Sequence, residues 1–268
     1  MRTQGKFLLF DSADEFGPWL DAAAVTRVVR LVQNHHTWLP NYGQFHGTNH
    51  FALLQGMEDA HLERGFAEIA QNLTTFPDGS IAVCRSLDKI PAGIKGANTG
   101  GVCIENLGNF DAGGDAMTAA HRDAILRLNA LLCRKFSLAP STAAIVYHHW
   151  YDLNTGVRTN GTGVTKTCPG TAFFGGNRVE DAAANFVPLV EAALAALAPV
   201  APPAAPLGAY SVNASGLNVR TAPDPSAPVL KVLTRGVHVN AYAASGQWMR
   251  IHPTGMQWVN GAYLAPLA

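Results

Sequence analysis

Two histidine doublets and a cysteine carry the residue types that bind zinc. The doublets are His35-His36 and His148-His149, and the cysteine is Cys168. A catalytic zinc site uses three protein ligands and keeps one position open, so two imidazoles and a thiolate would complete it. Neither doublet has helical His-x-x-x-His spacing, so the ligands would have to converge from separate strands and loops. Because single His and Cys residues are often packed in the core, their types alone leave a structural role open.

Each doublet leaves a choice between two neighbouring histidines. In a β-strand, successive side chains face opposite sides of the sheet. If His35 faces a metal, His36 faces away from it, and the same holds for His148 and His149. The second member of each pair would then be a packed histidine that hydrogen-bonds a carbonyl, or a residue that contacts substrate.

Glu105 and Lys166 are the charged residues whose positions suggest a chemical role. Glu105 ends the apolar run Val102–Glu105, where an unpaired carboxylate is costly to bury. The simplest interpretation is an ion pair with a lysine or arginine, although a carboxylate beside a metal could also transfer protons. Lys166 lies two residues before Cys168 and, taken alone, is typical of a solvated loop lysine.

The amino-acid sequence around these residues resembles that of the type 2 N-acetylmuramoyl-L-alanine amidase family, which includes peptidoglycan recognition proteins and phage amidases. The similar segments are Arg27–Trp38, Phe76–Gly79 with Arg85, Val102–Asp111, Val146–His149 and Lys166–Gly170. The resemblance spans about residues 25 to 197. The order His, Glu, His, Lys, Cys along the chain is specific to such enzymes.

The resemblance implies a zinc enzyme with named site residues. Its metal ligands would be His35, His148 and Cys168, its catalytic glutamate Glu105, and Lys166 would stabilise the oxyanion. The cofactor would be Zn²⁺, and the substrate and partner would be bacterial peptidoglycan. The bond cut would join N-acetylmuramic acid to the L-alanine of the stem peptide. His36 and His149 remain candidates for substrate contacts.

The chain departs from the family in two places. Residues Leu153–Gly163 are an inserted stretch rich in Gly, Asn and Thr, which predicts an additional loop. Gln71-Asn72 stand where many relatives have an aromatic residue or a histidine, so the sugar contacts there cannot be transferred. Outside the candidate site, His121 lies near a predicted helix start and is expected to be exposed.

Composition changes along the chain and predicts two domains joined by a linker. Residues 198–208 lie in a stretch rich in Pro and Ala without charge, which is typical of a semi-rigid extended linker. We therefore expect a catalytic domain over 1–197 and a cell-wall-binding domain over 209–268.

The C-terminal part resembles a bacterial SH3 domain, a module that usually binds cell-wall peptide. The similar segments are Gly216–Pro223, Arg235-Gly236, Gln247-Trp248, Gln257–Val259 and Tyr263-Leu264. Short apolar runs separated by Gly, Pro, Asn and Ser predict a small all-β, SH3-like barrel. Trp248 and Trp258 are candidate binding residues, although aromatic residues in so small a domain are core residues first.

The first domain alternates predicted strands and helices, which indicates the α/β class with a mixed central sheet flanked by helices, the amidase type 2 fold. Strands are expected near 26–35, 80–84, 101–106 and 144–149. Thr118 is expected to cap a helix with apolar residues at helical spacing. Pro188 is expected to divide the last helical stretch.

Composition argues against several partners and cellular locations. Nineteen basic and nineteen acidic residues cancel, so nothing suggests steering to nucleic acid or to an anionic membrane. No apolar run is long enough to insert in a membrane. The N-terminal residues lack the apolar core of a signal peptide. We expect a monomer that is made in the cytoplasm, as an endolysin is, and that reaches the wall after lysis or by specialised export.

Two other functions use the same residues. Cys168 could be the nucleophile of a cysteine peptidase acting on cell-wall peptides, with His148 or His149 as base and Asp152 orienting it. In that case the first doublet would have no role. The chain could also bind peptidoglycan without cleaving it, although Glu105 and the ligand types favour catalysis.

Overall fold

The structure is a computed structural model that describes residues 1–197, 206–253 and 255–267. The chain divides into two compact units, the first made of most of residues 1–197 and the second holding the described residues from 206 onward. Of the predicted linker 198–208, residues 198–205 lie outside the described residues. Gly208, the last residue of the predicted linker, is the first residue of a strand.

The first unit is built on a seven-stranded mixed sheet, as predicted. Its strands are β1 (Arg2–Gln4), β2 (Phe7–Phe10), β3 (Leu31–His36), β4 (Leu73–Thr75), β5 (Ile81–Val83), β6 (Gly101–Asn106) and β7 (Ile145–Tyr147). They lie in the order β1-β2-β5-β4-β6-β3-β7. β3 is parallel to β6 and β7, and β4 is parallel to β6, while the other pairs are antiparallel. β1, β2 and β4 do not correspond to any predicted strand.

Helices cover both faces of this sheet. They are α1 (Ala13–Ala22), α2 (His50–Glu63), α3 (Ala119–Lys135), α4 (Val179–Asp181) and α5 (Val187–Ala196), with a π-helical turn over Ala182–Phe186. Alternate residues of β2 face opposite sides. Leu9 packs in one apolar cluster with Leu54 of α2, whereas Phe10 packs in another with Phe16 of α1.

Helix α3 begins as expected. Thr118 is its N-cap, and its side-chain oxygen accepts a hydrogen bond from the backbone N–H of His121. The expectation that His121 is exposed is wrong, because its side chain faces the sheet and has 0% exposure. The helical stretch around Pro188 also follows the prediction, since α5 begins at Val187 after the π-helical turn.

The parallel strands bring the candidate site residues to one edge of the sheet. His35 and Glu105 are register partners on β3 and β6. β7 ends at Tyr147, directly before His148, and pairs with Asn34 of β3. Because the carboxyl ends of parallel strands meet at one edge, residues distant in sequence become neighbours there.

The second unit is all-β. Its strands are β8 (Gly208–Val212), β9 (Leu217–Arg220), β10 (Val229–Leu233), β11 (His238–Ala241), β12 (Ala243–Ser245), β13 (Trp248–Arg250), β14 (Trp258–Asn260) and β15 (Leu264–Pro266). They form the sheets β10-β9-β14-β13-β12 and β11-β8-β15. Trp248 and Trp258 are each 8% exposed. In neither unit do the described residues include a helix that is long and apolar enough to cross a bilayer.

Candidate functional site

Three side chains from three segments converge at the sheet edge. His35 Nδ1 lies 3.2 Å from His148 Nδ1, and Cys168 Sγ lies 3.5 Å from His35 Nδ1. One atom from each of the three residues can be chosen so that all lie within 4.8 Å of one another. These are the three residues that the resemblance assigns to the metal.

The distances fit a tetrahedral zinc ion. Zinc bonds nitrogen at about 2.0–2.1 Å and sulfur at about 2.3 Å, so tetrahedral ligands lie about 3.3 Å apart for two nitrogens and about 3.6 Å apart for nitrogen and sulfur. The observed separations of 3.2 and 3.5 Å agree with both values. In addition, two imidazoles and a thiolate form a donor set that zinc prefers.

The first doublet follows strand alternation. His35 lies on the face of β3 that carries the cluster, while His36 Nδ1 accepts a hydrogen bond from the backbone N–H of Phe110 at 3.1 Å. Burial lowers the pKa of His36. The imidazole is therefore held as a neutral acceptor on the other side of the strand.

The second doublet does not lie in a strand, contrary to the prediction of a strand over 144–149. β7 ends at Tyr147, and His148 begins a 3₁₀ turn over His148–Trp150. The turn directs His148 to the cluster, whereas His149 Nδ1 donates to the carbonyl of Lys166 at 2.7 Å. The backbone N–H of His149 also donates to the carbonyl of Cys168 at 2.8 Å, which ties the turn to the cysteine segment.

Burial sets the protonation of the cluster. It lowers the pKa of His35 well below its usual value, with the charges of His148 and Lys166 as further causes. It also lowers the pKa of His148 to about 4, helped by Lys166. Both imidazoles are therefore neutral near pH 7, which is the form that binds metal. Burial raises the pKa of the Cys168 thiol, as does Glu105, so the thiolate needs a nearby cation to form.

Among the described residues, no lysine or arginine forms an ion pair with Glu105, contrary to its simplest interpretation. Its Oε1 lies 3.8 Å from His35 Nδ1, and its Oε2 is buried without a hydrogen-bond partner among the described residues. Burial raises the pKa of Glu105 to about 8, against the opposing charge of Lys166. A carboxyl group with such a pKa can both release and take up a proton near neutral pH.

The cluster opens into a cleft of about 980 Å³. Glu105, Lys166 and His36 also line this cleft, but His149 is not among its lining residues. Lys166 is exposed, as expected of a loop residue. The other lining residues that carry polar or large side chains include Trp38, Gln44, His61, Arg64 and Gln71.

Two residues of this region were missed by the sequence analysis. Trp38 is 59% exposed in the cleft wall and has a left-handed backbone with φ of 59°. Gly93 packs against the first doublet, and a Cβ there would lie 3.1 Å from His35 Nε2 and closer still to the Gln33 amide. No local sequence signal identifies a left-handed tryptophan, and a close approach of this kind depends on contacts between distant segments.

Asp152 does not serve the role that the cysteine peptidase hypothesis gives it. Its Oδ1 accepts from the backbone N–H groups of Asn154 and Thr155, and its Oδ2 accepts from that of Val164. The carboxylate therefore holds the loop that follows it, which includes the predicted insertion Leu153–Gly163.

Comparison with known families agrees with this geometry. The family model for N-acetylmuramoyl-L-alanine amidase matches residues 25–171, which is more than half of the 268 residues. The chain belongs to the N-acetylmuramoyl-L-alanine amidase family. A second model, for the bacterial SH3 domain, matches residues 215–265, so both resemblances seen in the sequence are confirmed.

Solved structures of amidase-family proteins are similar to this chain. Wild-type Drosophila PGRP-LB is 21% identical, with 59% of this chain and 81% of that chain covered and a TM-score of 0.45. The N-acetylmuramoyl-L-alanine amidase LysC from Clostridium intestinale URNW is 19% identical, with 57% and 85% covered and a TM-score of 0.41. A search of curated protein sequences gave no match.

Proposed function

We propose that this amidase-family protein is a zinc-dependent peptidoglycan hydrolase that cleaves the amide bond between N-acetylmuramic acid and the L-alanine of the stem peptide. One observation carries the proposal. His35 lies at zinc-binding separations from His148 and Cys168, and all three residues line a large cleft. Family membership supplies the substrate class.

In the proposed mechanism, His35, His148 and Cys168 would hold the ion with two neutral imidazoles and a thiolate. Bound zinc would polarise the scissile carbonyl and lower the pKa of a water molecule. Glu105, whose pKa burial raises to about 8, accepts a proton from the attacking water at a carboxylate oxygen. It then donates that proton to the departing nitrogen of L-alanine. Lys166 lies in the cleft wall and offers positive charge to the oxyanion that develops on the carbonyl oxygen.

The two units have separate roles in this proposal. Residues 1–197 carry the chemistry, and residues 209–268 hold the enzyme on the cell wall through the bacterial SH3 domain. Trp248 and Trp258 stay candidate contacts, each with 8% of the residue exposed. Deleting 209–268 is expected to weaken binding to intact wall but to leave cleavage of soluble muropeptides. That the enzyme acts as a monomer stays a prediction, which light scattering would check.

The decisive experiment combines metal analysis with an assay for a newly released L-alanine amine from muropeptide, with and without a chelator. One zinc per chain and chelator-sensitive release are expected. Metal-free activity blocked by a thiol reagent would instead identify a cysteine peptidase, and zinc without turnover would identify a binding protein.

A variant of Glu105 tests the proton transfer separately from metal binding. Glu105→Gln is expected to keep one zinc per chain and to lose about a hundred-fold or more of the activity. Full activity of this variant would remove Glu105 from the mechanism.

A further inference from the structure

A chain of hydrogen bonds runs through the first unit and ends on the backbone of His35. Its five contacts are Thr118 N to Tyr42 Oη (3.3 Å), Tyr42 Oη to His121 Nδ1 (2.8 Å), His121 Nε2 to Thr75 Oγ1 (2.7 Å), Thr75 Oγ1 to Asn106 Oδ1 (2.8 Å) and Asn106 Nδ2 to the His35 carbonyl (2.7 Å). The chain links the first turn of α3, through β4 and β6, to the end of β3. None of its four side chains lies in the candidate metal cluster.

The carbonyl of His35 fixes the direction of the bonds from Asn106 to His121 Nε2. The carbonyl of His35 can only accept, so the Asn106 atom beside it is the NH₂ group and the other atom is the oxygen. Thr75 must then donate its hydroxyl proton to Asn106 and accept from His121 Nε2–H. In a neutral His121 with its proton on Nε2, Nδ1 accepts the hydroxyl proton of Tyr42, while the Tyr42 oxygen accepts the Thr118 N–H.

These bonds therefore place a proton on His121 Nε2, as in one tautomer of the neutral imidazole. Its surroundings agree, since burial lowers the pKa of His121 to about 3. A cationic ring would carry a second N–H directed at the Tyr42 oxygen, so the hydroxyl proton of Tyr42 would lose its acceptor. The direction of the chain is thus maintained across the neutral pH range.

The hydrogen-bond chain reaches β3 just beyond the point where its pairing with β7 ends. β7 ends at Tyr147, whose register partner is Asn34, so His35 lies one residue beyond that pairing. There the side chain of Asn106 binds the His35 carbonyl, and the backbone carbonyl of Asn106 accepts from Thr37 N–H at 3.1 Å. Asn106 therefore holds the strand from the His35 carbonyl to Thr37.

We infer that Thr75, His121 and Tyr42 are positioning residues that keep His35 in place for metal binding through Asn106. The inference rests on the proposed function, because it takes the cluster to be a zinc site. It adds residues that do not touch the metal, the substrate or Glu105. Their effect is expected in the affinity for zinc.

Two substitutions at Thr75 test the chain with little change in volume. Thr75→Val removes the hydroxyl and leaves both Asn106 Oδ1 and His121 Nε2 without their partner, whereas Thr75→Ser keeps the hydroxyl. The zinc dissociation constant, measured by competition with a chelator, is expected to rise about ten-fold for Thr75→Val and to stay near wild type for Thr75→Ser. The spectrum of the cobalt-substituted protein is expected to change only in the valine variant.

Leu128→Ala is the matched control for a general loss of stability. Leu128 is fully buried on α3 and belongs to the apolar core, but it has no part in the hydrogen-bond chain. This variant is expected to unfold at a lower temperature and, where it is folded, to bind zinc as wild type does. Equal zinc affinity of folded Thr75→Val and wild type would overturn the inference, whereas a wild type without zinc affinity would overturn the proposed function.

The direction of the chain has a readout that does not depend on metal. Nitrogen chemical shifts of His121 are expected to show a neutral ring with its proton on Nε2 from pH 5 to 8, in zinc-free as in zinc-loaded protein. A proton on Nδ1, or a cationic ring in this range, would contradict the direction and with it the positioning role.

Discussion

The two histidine doublets have the same sequence but present their ligand in different ways. His35-His36 lies in β3, where strand alternation sends the rings to opposite faces. His148-His149 lies in a 3₁₀ turn, where successive residues diverge because each turn holds about three residues. Strand alternation thus separates the two rings at the first doublet, while at the second doublet the separation has another cause.

The second member of each doublet differs as well. His36 is buried, lines the cleft and accepts a backbone hydrogen bond. His149 is not among the residues that line the cleft, and it holds the carbonyl of Lys166, so it supports the cysteine segment. The comparison predicts that the two first members share one role and that the two second members have different roles.

The largest expected effect separates the members of the first doublet. His35→Ala is expected to lose zinc and at least about a thousand-fold of the activity, since Lewis-acid catalysis contributes several kcal/mol to the barrier. His36→Ala is expected to keep one zinc per chain and to change mainly the KM, because His36 lines the cleft from the other face of β3. Metal analysis beside steady-state kinetics checks both. Loss of zinc in His36→Ala alone would reverse the assignment.

The same pair of substitutions at the second doublet tests whether the turn, like the strand, presents only the first histidine to the metal. His148→Ala is expected to lose zinc as His35→Ala does. His149→Ala removes one hydrogen bond to Lys166 and is expected to lower the unfolding free energy by about 1 kcal/mol, with zinc retained. Chemical denaturation and metal analysis measure the two effects. Retention of zinc by His148→Ala would contradict the assignment.

The first doublet also shows how far sequence reasoning reaches. The mixed sheet, the Thr118 cap and the family were predictable, because apolar periodicity, capping chemistry and the motif order are local patterns. The register of His35 opposite Glu105 is not local, since it depends on the pairing of strands far apart in sequence. The family resemblance implied that His35 and Glu105 belong to one site, whereas apolar periodicity alone did not.

The errors have physical causes of the same kind. His121 was expected to be exposed because a polar residue near a helix start is usually solvated, but it is buried where Tyr42 and Thr75 satisfy both ring nitrogens. His148 was placed in a strand because Val146-Tyr147 continues the apolar pattern up to it. The end of β7 at Tyr147 depends on long-range contacts of the following turn, such as the bond from the His149 N–H to the Cys168 carbonyl.

Substitutions of two glycines, one beside each doublet, test the comparison with a smaller expected effect on zinc binding. A Cβ at Gly93 would lie 2.7 Å from Cys103 Sγ and 3.1 Å from His35 Nε2, whereas a Cβ at Gly161 would lie 2.6 Å from His149 Nε2. Gly93→Ala is expected to lower the unfolding free energy by about 2 kcal/mol and to weaken zinc binding, because it displaces a ligand. Gly161→Ala, with its φ of +96°, is expected to destabilise the loop and leave zinc affinity unchanged. Equal zinc affinities of the two variants would remove the distinction.

The smallest expected effect is a pH dependence of stability caused by His121, which is linked to the first doublet but not to the second. The pKa of His121 is about 3 in the folded protein, below the ordinary value of about 6.5, because the ring is buried. Below pH 6.5 the unfolded chain therefore takes up a proton that the folded chain does not, so acid favours unfolding. This residue is expected to remove about 1 kcal/mol of stability between pH 7 and 5.5. His121→Gln, which retains a donor and an acceptor but does not titrate, is expected to show a shallower decline at equal zinc occupancy, whereas an identical decline would show that His121 does not stay neutral in the folded protein.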